Sequence, residues 1–228
     1  MAINTRPISK RSNIAKCAEP IITSGMKSRL NVAKFYNTLQ HGFLEGKSTK
    51  ANPMEYLLKI QMELSNDIPC DIVYFDFQKC FDRINHEVLL KKIKKAGISG
   101  NIGRWLENFS KNRVQCVKVG NSTSAYHQVK SSVVQGSVIG PAAFLIMIND
   151  LPSIFSAQTS RYFFADHFKL LMPITSGAIS ANALQHQINL AYKWSIENQL
   201  PFNAQKCEVL HLGLNNPGFA YTIGMNFI

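Results

Sequence analysis

An α+β fold follows from three features of this sequence. Short runs rich in aromatic and β-branched residues, at 70–77, 161–172 and 206–213, read as strands. Between them lie segments such as 85–96 and 179–194, in which apolar residues recur at helical spacing. Tight turns, around Gly120 and at Asp166, join two pairs of strand-like stretches into hairpins.

Taken in order, residues 12–36 carry a helical pattern interrupted at Pro20 and Gly25, which predicts two short helices. Residues 40–49, QHGFLEGKST, form a glycine-bearing basic loop, and Thr49 or Asn52 caps the helix that follows. Along that helix Met54, Leu57, Leu58, Met62 and Leu64 recur at helical spacing. Residues 70–77 suit a central strand buried on both faces. Residues 85–96 are an amphipathic basic helix with Val88, Leu89, Leu90 and Ile93 inward, closed by Gly97. A helix over 102–109 precedes a hairpin with Gly120 and Asn121 at its turn. Pro141 occupies the first turn of a helix reaching to about residue 151. Residues 161–165 and 168–172 are two strands joined at Asp166 and His167, which puts the acid at a hairpin tip. Ile179, Leu184, Ile188, Ala191 and Trp194 mark the last helix. The final strand, 206–213, alternates Cys207, Val209 and His211 with Glu208, Leu210 and Leu212. There is no internal repeat, no low-complexity segment and no linker that cleanly divides the chain.

With 228 residues and 46% hydrophobic content, the chain can build one sizeable core or two small lobes. Its net charge of +11, from 25 Lys and Arg against 14 Asp and Glu, favours a polyanionic partner, although a basic but inert surface has the same composition. Five scattered cysteines (Cys17, Cys70, Cys80, Cys116, Cys207) without Cys-x-x-Cys spacing read as reduced thiols of a cytoplasmic or nuclear protein. No signal-peptide run opens the sequence and no stretch approaches a membrane span, so an intracellular location and no membrane role are expected. Phosphate-binding P-loops and serine-hydrolase elbows are absent as motifs.

The chemistry concentrates on two acids. Asp76 and Asp166 each end an apolar strand, and two carboxylates on rigid supports can hold Mg²⁺, a hard ion that takes oxygen ligands. Taken singly, an Asp after an apolar strand is more often a turn or cap residue. Four segments in fixed order make the pairing specific: VYFDFQKCFDRINH from Val73, VVQGSVIGPAAF from Val133, FFADHFKL from Phe163 and PFNAQKCEVLHLG from Pro201.

In these segments, in RPIS at Arg6 and in the loop 40–49, the chain resembles the reverse transcriptase of non-LTR (LINE-type) retrotransposons from about Thr5 to Gly213. The resemblance implies an RNA-directed DNA polymerase with right-hand fingers and a palm on a mainly antiparallel sheet. Residues 1–70 would be mainly fingers, 71–213 mainly palm with a fingers insertion, and 214–228 a C-terminal remnant. It further implies two Mg²⁺ ions, or Mn²⁺ in their place, held by Asp76 and Asp166, with RNA template, DNA primer and dNTP as partners. Phe81 would be the aromatic that excludes a 2′-hydroxyl, against its plain reading as a core aromatic. Gln135, Gly136 and Ser137 match the segment that lies along the nucleotide and template base. Lys206 matches the lysine that meets the triphosphate, and Lys47 stands where a basic residue reaches towards template or nucleotide. Both read otherwise as solvated lysines. Asp82 reads as structural, a helix cap.

The pattern breaks in three places. His167 replaces the second Asp of the family's pair, Val134 replaces a Pro, and the sequence ends at Ile228 without room for a thumb. An imidazole nitrogen suits a softer ion such as Zn²⁺ or Mn²⁺, so His167 is a candidate ligand as well as a plain substitution. Impaired or absent catalysis is therefore expected of this copy. The alternative is a non-catalytic nucleic-acid-binding remnant or a protein retained by a host.

Overall fold

The computed structural model describes residues 9, 12–44, 46–47, 51–111 and 113–228. In chain order its main elements are α1 (Asn13–Val32), α2 (Ala51–Ser65), β1 (Cys70–Asp76), α3 (Cys80–Arg83), α4 (His86–Lys95) and α5 (Gly100–Ser110). Then come β2 (Val114–Gln115), β3 (Lys118–Val119), β4 (Ser122–Thr123), β5 (His127–Gln128) and α6 (Ile139–Ile148). The chain finishes with β6 (Ser160–Phe164), β7 (His167–Pro173), α7 (Ala178–Glu197), β8 (Glu208–Leu212), β9 (Thr222–Ile223) and β10 (Asn226–Phe227). These fall into two interleaved units, Met1–Tyr36 with Phe81–Ile148 and Asn37–Cys80 with Asn149–Ile228.

The first unit is helical. Nine of the ten residues of α6 are buried, from Ile139 to Ile148 with Pro141 excepted, as expected of a helix that is apolar all round and sits at the centre of its unit. α1 and α4 pack against it. α1 runs unbroken through Pro20 and Gly25, contrary to the two helices expected. Its buried face, Glu19, Thr23, Met26 and Leu30, keeps helical spacing across the proline, so tertiary packing overrides the local break. A Cβ on Gly25 would sit 3.2 Å from Ile102 Cδ1, so the glycine permits close packing on α5. α4 begins as read, with the Asn85 side chain accepting from the backbone of Glu87 and Val88. The hairpin expected around Gly120 is present as two short ladders, β2 with β5 and β3 with β4.

The second unit is built on a four-stranded antiparallel sheet of order β6-β7-β1-β8. β1 is central, as its aromatic and β-branched composition requires. On one face Ile72, Cys70 and Leu171 pack with Tyr56 of α2. The alternate positions carry a stack in which Phe163 lies 5.0 Å from Phe168, and Phe168 lies 4.3 Å from Phe75. α2 presents Tyr56 and Glu63 inward, whereas Met54, Leu57, Leu58 and Met62 are exposed. The predicted cap Thr49 lies outside the described residues. Asn52 lies within α2 and donates instead to the carbonyl of Phe163, 3.2 Å away.

The C-terminal segment is folded. β9 and β10 pair, and Gln185 of α7 makes two hydrogen bonds with the backbone of Thr222, at 2.8 and 2.9 Å. At the far end of β1 the fully buried Asp71 accepts from His211 Nδ1 at 2.7 Å, Asn216 Nδ2 at 2.8 Å and the Tyr221 hydroxyl. Burial, with Asp71 beside it, pushes the Tyr221 phenol well above its ordinary value.

Candidate active site

Strand alternation brings the two acids together. In β1 the core position is Phe75, so the next residue, Asp76, faces the other side at the strand end. Register places Asp76 opposite His167 of β7, and His167 opposite Phe164 of β6. The β6–β7 connection is therefore the two-residue loop Ala165-Asp166, which carries the second acid at its tip. Ala165 has φ +51°, a backbone conformation that a side chain disfavours.

That strained residue is held from outside the hairpin. Gln40 Oε1 accepts from the N–H of Ala165 at 3.0 Å and from that of Gly42 at 2.9 Å, while its amide donates to the Ala165 carbonyl at 3.4 Å. His41 donates its backbone N–H to the Phe163 carbonyl, 3.1 Å away. A Cβ on Gly42 would fall 2.2 Å from the Ala165 nitrogen, which explains why the brace is built with glycine.

Four of the residues singled out in the sequence meet at this end of the sheet. His167 Nδ1 lies 3.7 Å from Asp76 Oδ1, and His167 Nε2 lies 3.8 Å from Asp166 Oδ1. The imidazole thus sits between the two carboxylates. Lys206, in the short 3₁₀ turn that leads into β8, places Nζ 3.8 Å from Asp76 Oδ2. That turn is fixed by Asn203, whose N–H donates to the Asp76 carbonyl at 2.8 Å. The Cys80 thiol donates to Asp166 Oδ2 at 3.4 Å. Side-chain exposures of 21% for Asp76 and 32% for Asp166 leave both carboxylates within reach of a ligand. Two residues along β7, Lys169 Nζ lies 4.0 Å from the Tyr56 ring centre, and its partial burial lowers its pKa.

The donor set decides what the site can hold. Asp76 and Asp166 offer oxygens suited to one hard divalent ion, while the third nearby group is a nitrogen donor. Among the described residues no three His, Cys, Asp or Glu side chains are gathered as a preformed metal cluster. Asp76 and Asp166 thus supply the oxygen donors at this end of the sheet, and His167 a nitrogen donor between them.

The remaining predicted residues make contacts of their own. Lys47, in the second unit, donates to the Thr38 carbonyl at 2.9 Å. Phe81, Gln135 and Gly136 belong to the first unit. Phe81, itself only partly buried, stacks on the buried Phe144 with ring centres 5.1 Å apart. Gly136 has φ +83°, the turn conformation its residue type permits. Gln135 Nε2 donates to Asp82 Oδ1 at 2.7 Å. Asp82 therefore does not cap a helix: it lies within the four-residue α3, and its carboxylate receives Gln135. Sequence reasoning missed Gln40, Gly42 and Cys80. The glycine-bearing loop was the one signal available for the first two.

Residues 2–223 match the family model described as reverse transcriptase (RNA-dependent DNA polymerase). The probable RNA-directed DNA polymerase from transposon BS of Drosophila melanogaster is 28% identical over 212 residues, covering 88% of this chain and 23% of that protein. The RNA-directed DNA polymerase from mobile element jockey of Drosophila funebris is 24% identical over 209 residues, 89% of this chain and 23% of that protein. The chain thus spans 23% of the length of these curated relatives. Among solved structures, telomerase from Candida tropicalis in complex with a TWJ fragment of telomeric RNA aligns with a TM-score of 0.64 at 14% identity, covering 86% of this chain and 34% of that one. Apo telomerase from the same organism, truncated from its C-terminal domain, aligns at 0.63 and 15% identity over 96% of this chain and 48% of that one. At such identities the shared feature is the fold, a polymerase palm and fingers.

Proposed function

We propose, for a chain that belongs to the reverse transcriptase (RNA-dependent DNA polymerase) family, that it binds an RNA template with its DNA primer and a dNTP, and that its nucleotidyl transfer is impaired. The observation that carries the proposal is the pairing of β1 with the β6–β7 hairpin, which brings Asp76 and Asp166 to either side of one imidazole.

In this reading Asp76 and Asp166 hold a divalent ion, Mg²⁺ or Mn²⁺, which when bound neutralises phosphate charge at the reacting centre. Lys206 adds a positive charge beside Asp76 for the triphosphate. Phe81, Gln135 and Gly136 are assigned to the nucleotide and template base, and Lys47 to the template or nucleotide. No protein nucleophile is required. The net charge of +11 supports retention of the polyanionic substrate, inside the cell in cytoplasm or nucleus. No helix among the described residues is long and apolar enough to cross a membrane.

His167 favours a second reading, binding of nucleic acid without chemistry. The imidazole stands where the resemblance calls for a carboxylate, within 4 Å of both acids. Primer extension on an RNA template with Mg²⁺ or Mn²⁺ separates the two. Extension that disappears in Asp76→Ala supports the polymerase reading, and extension that survives it defeats that reading. Salt-dependent binding without any extension leaves the second.

A further inference from the structure

Gln40 joins two segments of the second unit through one side chain. Its Oε1 accepts from the N–H of Gly42 at 2.9 Å, within its own loop, and from the N–H of Ala165 at 3.0 Å, in the hairpin that carries Asp166. One oxygen of a buried residue is thus shared between loop and tip. A displacement of either segment must stretch a bond to the other. The same seam is closed by the His41 N–H, which donates to the Phe163 carbonyl at 3.1 Å, and by Asn52 Nδ2, which donates to that carbonyl at 3.2 Å. Ala165 keeps its φ of +51° only while these contacts hold, because a disfavoured backbone conformation persists where its surroundings over-determine it. Asp166 is the next residue, so its carboxylate goes where the tip goes. At the other end of the loop, the exposed Lys47 donates to the Thr38 carbonyl at 2.9 Å. An ammonium has three N–H donors, and the bond to Thr38 uses one of them. Lys47 can therefore take a phosphate oxygen without letting go of Thr38.

We propose that Gln40 links two binding events: a phosphate of single-stranded RNA held at Lys47 pins the loop, the shared amide oxygen passes that order to the hairpin tip, and a divalent ion at Asp76 and Asp166 is bound more tightly. The inference rests on the RNA and ion binding proposed above. Its physical basis is entropic. Whichever ligand binds first orders loop and tip together, and the other then binds without meeting that cost again. Linkage is reciprocal, so the ion tightens RNA by the same factor. Gln40 acts through Gly42 and Ala165 and is a positioning residue.

The test measures binding of a fluorescein-labelled single-stranded RNA to the full chain by anisotropy, at constant ionic strength, with and without saturating Mn²⁺. The ratio of the two dissociation constants is the linkage factor. RNA is used rather than dNTP, because a triphosphate would bind the ion itself and hide the linkage. Asp166→Asn, which weakens the ion site, sets the baseline that Mn²⁺ contributes by acting on RNA alone. The unaltered chain is expected to exceed that baseline about five- to tenfold, the low end of typical couplings. Gln40→Met should fall to the baseline, whereas Gln40→Glu, whose carboxyl oxygen still accepts from both N–H groups, should keep most of the factor. Lys47→Ala, a change at an exposed position, should also fall to the baseline. Bound RNA should slow amide exchange at residues 165 and 166 in the unaltered chain and leave it unchanged in Gln40→Met. A role confined to stability would weaken RNA binding alike with and without Mn²⁺, so a factor in folded Gln40→Met equal to that of the unaltered chain overturns the inference. An unaltered chain that binds RNA but does not exceed the Asp166→Asn baseline overturns it too, and leaves RNA binding standing. Failure of the unaltered chain to bind RNA overturns the functional reading and this inference together. Should Gln40→Met not fold, Lys47→Ala decides, since a factor undiminished there overturns the inference.

Discussion

Replacing His167 with Asp places a third carboxylate where the imidazole now lies, 3.7 Å from Asp76 and 3.8 Å from Asp166. A unit charge about 4 Å from a cation, in an effective dielectric near 20, is worth roughly 4 kcal/mol per unit of positive charge. Solvent and ion rearrangement cancel part of this, and the like-charged neighbours oppose it. A net gain corresponding to about two to four tenfold steps in extension rate is expected, each step being about 1.4 kcal/mol. The assay is single-nucleotide extension of a DNA primer on an RNA template, run with Mg²⁺ and with Mn²⁺. His167→Asp should show the larger gain with Mg²⁺, because the change replaces a nitrogen donor with oxygen. A rate in His167→Asp no higher than in the unaltered chain, with both folded and both binding primer-template, would refute the electrostatic argument.

Gly42→Ala forces a methyl to within 2.2 Å of the Ala165 nitrogen, so the hairpin tip must shift; a loss of about 1–3 kcal/mol in urea unfolding and faster amide exchange at residues 165–167 are expected. Tyr221→Phe leaves buried Asp71 with one donor fewer, which should lower stability by about 1.5–3 kcal/mol in the same measurement. Burial holds His86 below its ordinary value of 6.5, so the unfolded chain takes up its proton first on acidification. The stability this residue contributes is present above about pH 6.5 and is lost as pH falls towards its folded value. The urea midpoint should therefore drop between pH 8 and pH 5.5, and His86→Gln should drop less; equal drops in the two proteins would count against the assignment.

The strands that carry the acids were legible because each is a short, strongly apolar run that ends on Asp, and such a run has few alternatives. The helices were less so. Pro20 and Gly25 signalled a break that packing of Glu19, Thr23, Met26 and Leu30 overrides. In α2 the apolar stripe of Met54, Leu57, Leu58 and Met62 has helical spacing, but the sheet is met by Tyr56 and Glu63 on the opposite side. Periodicity shows that a stripe exists, and the partner decides which one is covered. Gln40 was invisible as a brace because its contact with Ala165 joins residues 125 positions apart, with nothing local to mark it. Asp82 and Gln135 were each noticed, yet their pairing across 53 positions has no signature in either neighbourhood.

The order of β1 in its sheet bears on how the chain is made. β1 leaves the ribosome well before either flanking partner, since β7 begins at His167 and β8 at Glu208. Until then Ile72, Val73 and Phe75 form an unpaired apolar ribbon with two open edges, a template for association with other copies. Recombinant fragments that stop before residue 212 would keep one of those edges open permanently. Slow synthesis at low temperature, with the C-terminal residues retained, is accordingly the condition under which soluble material should be recovered.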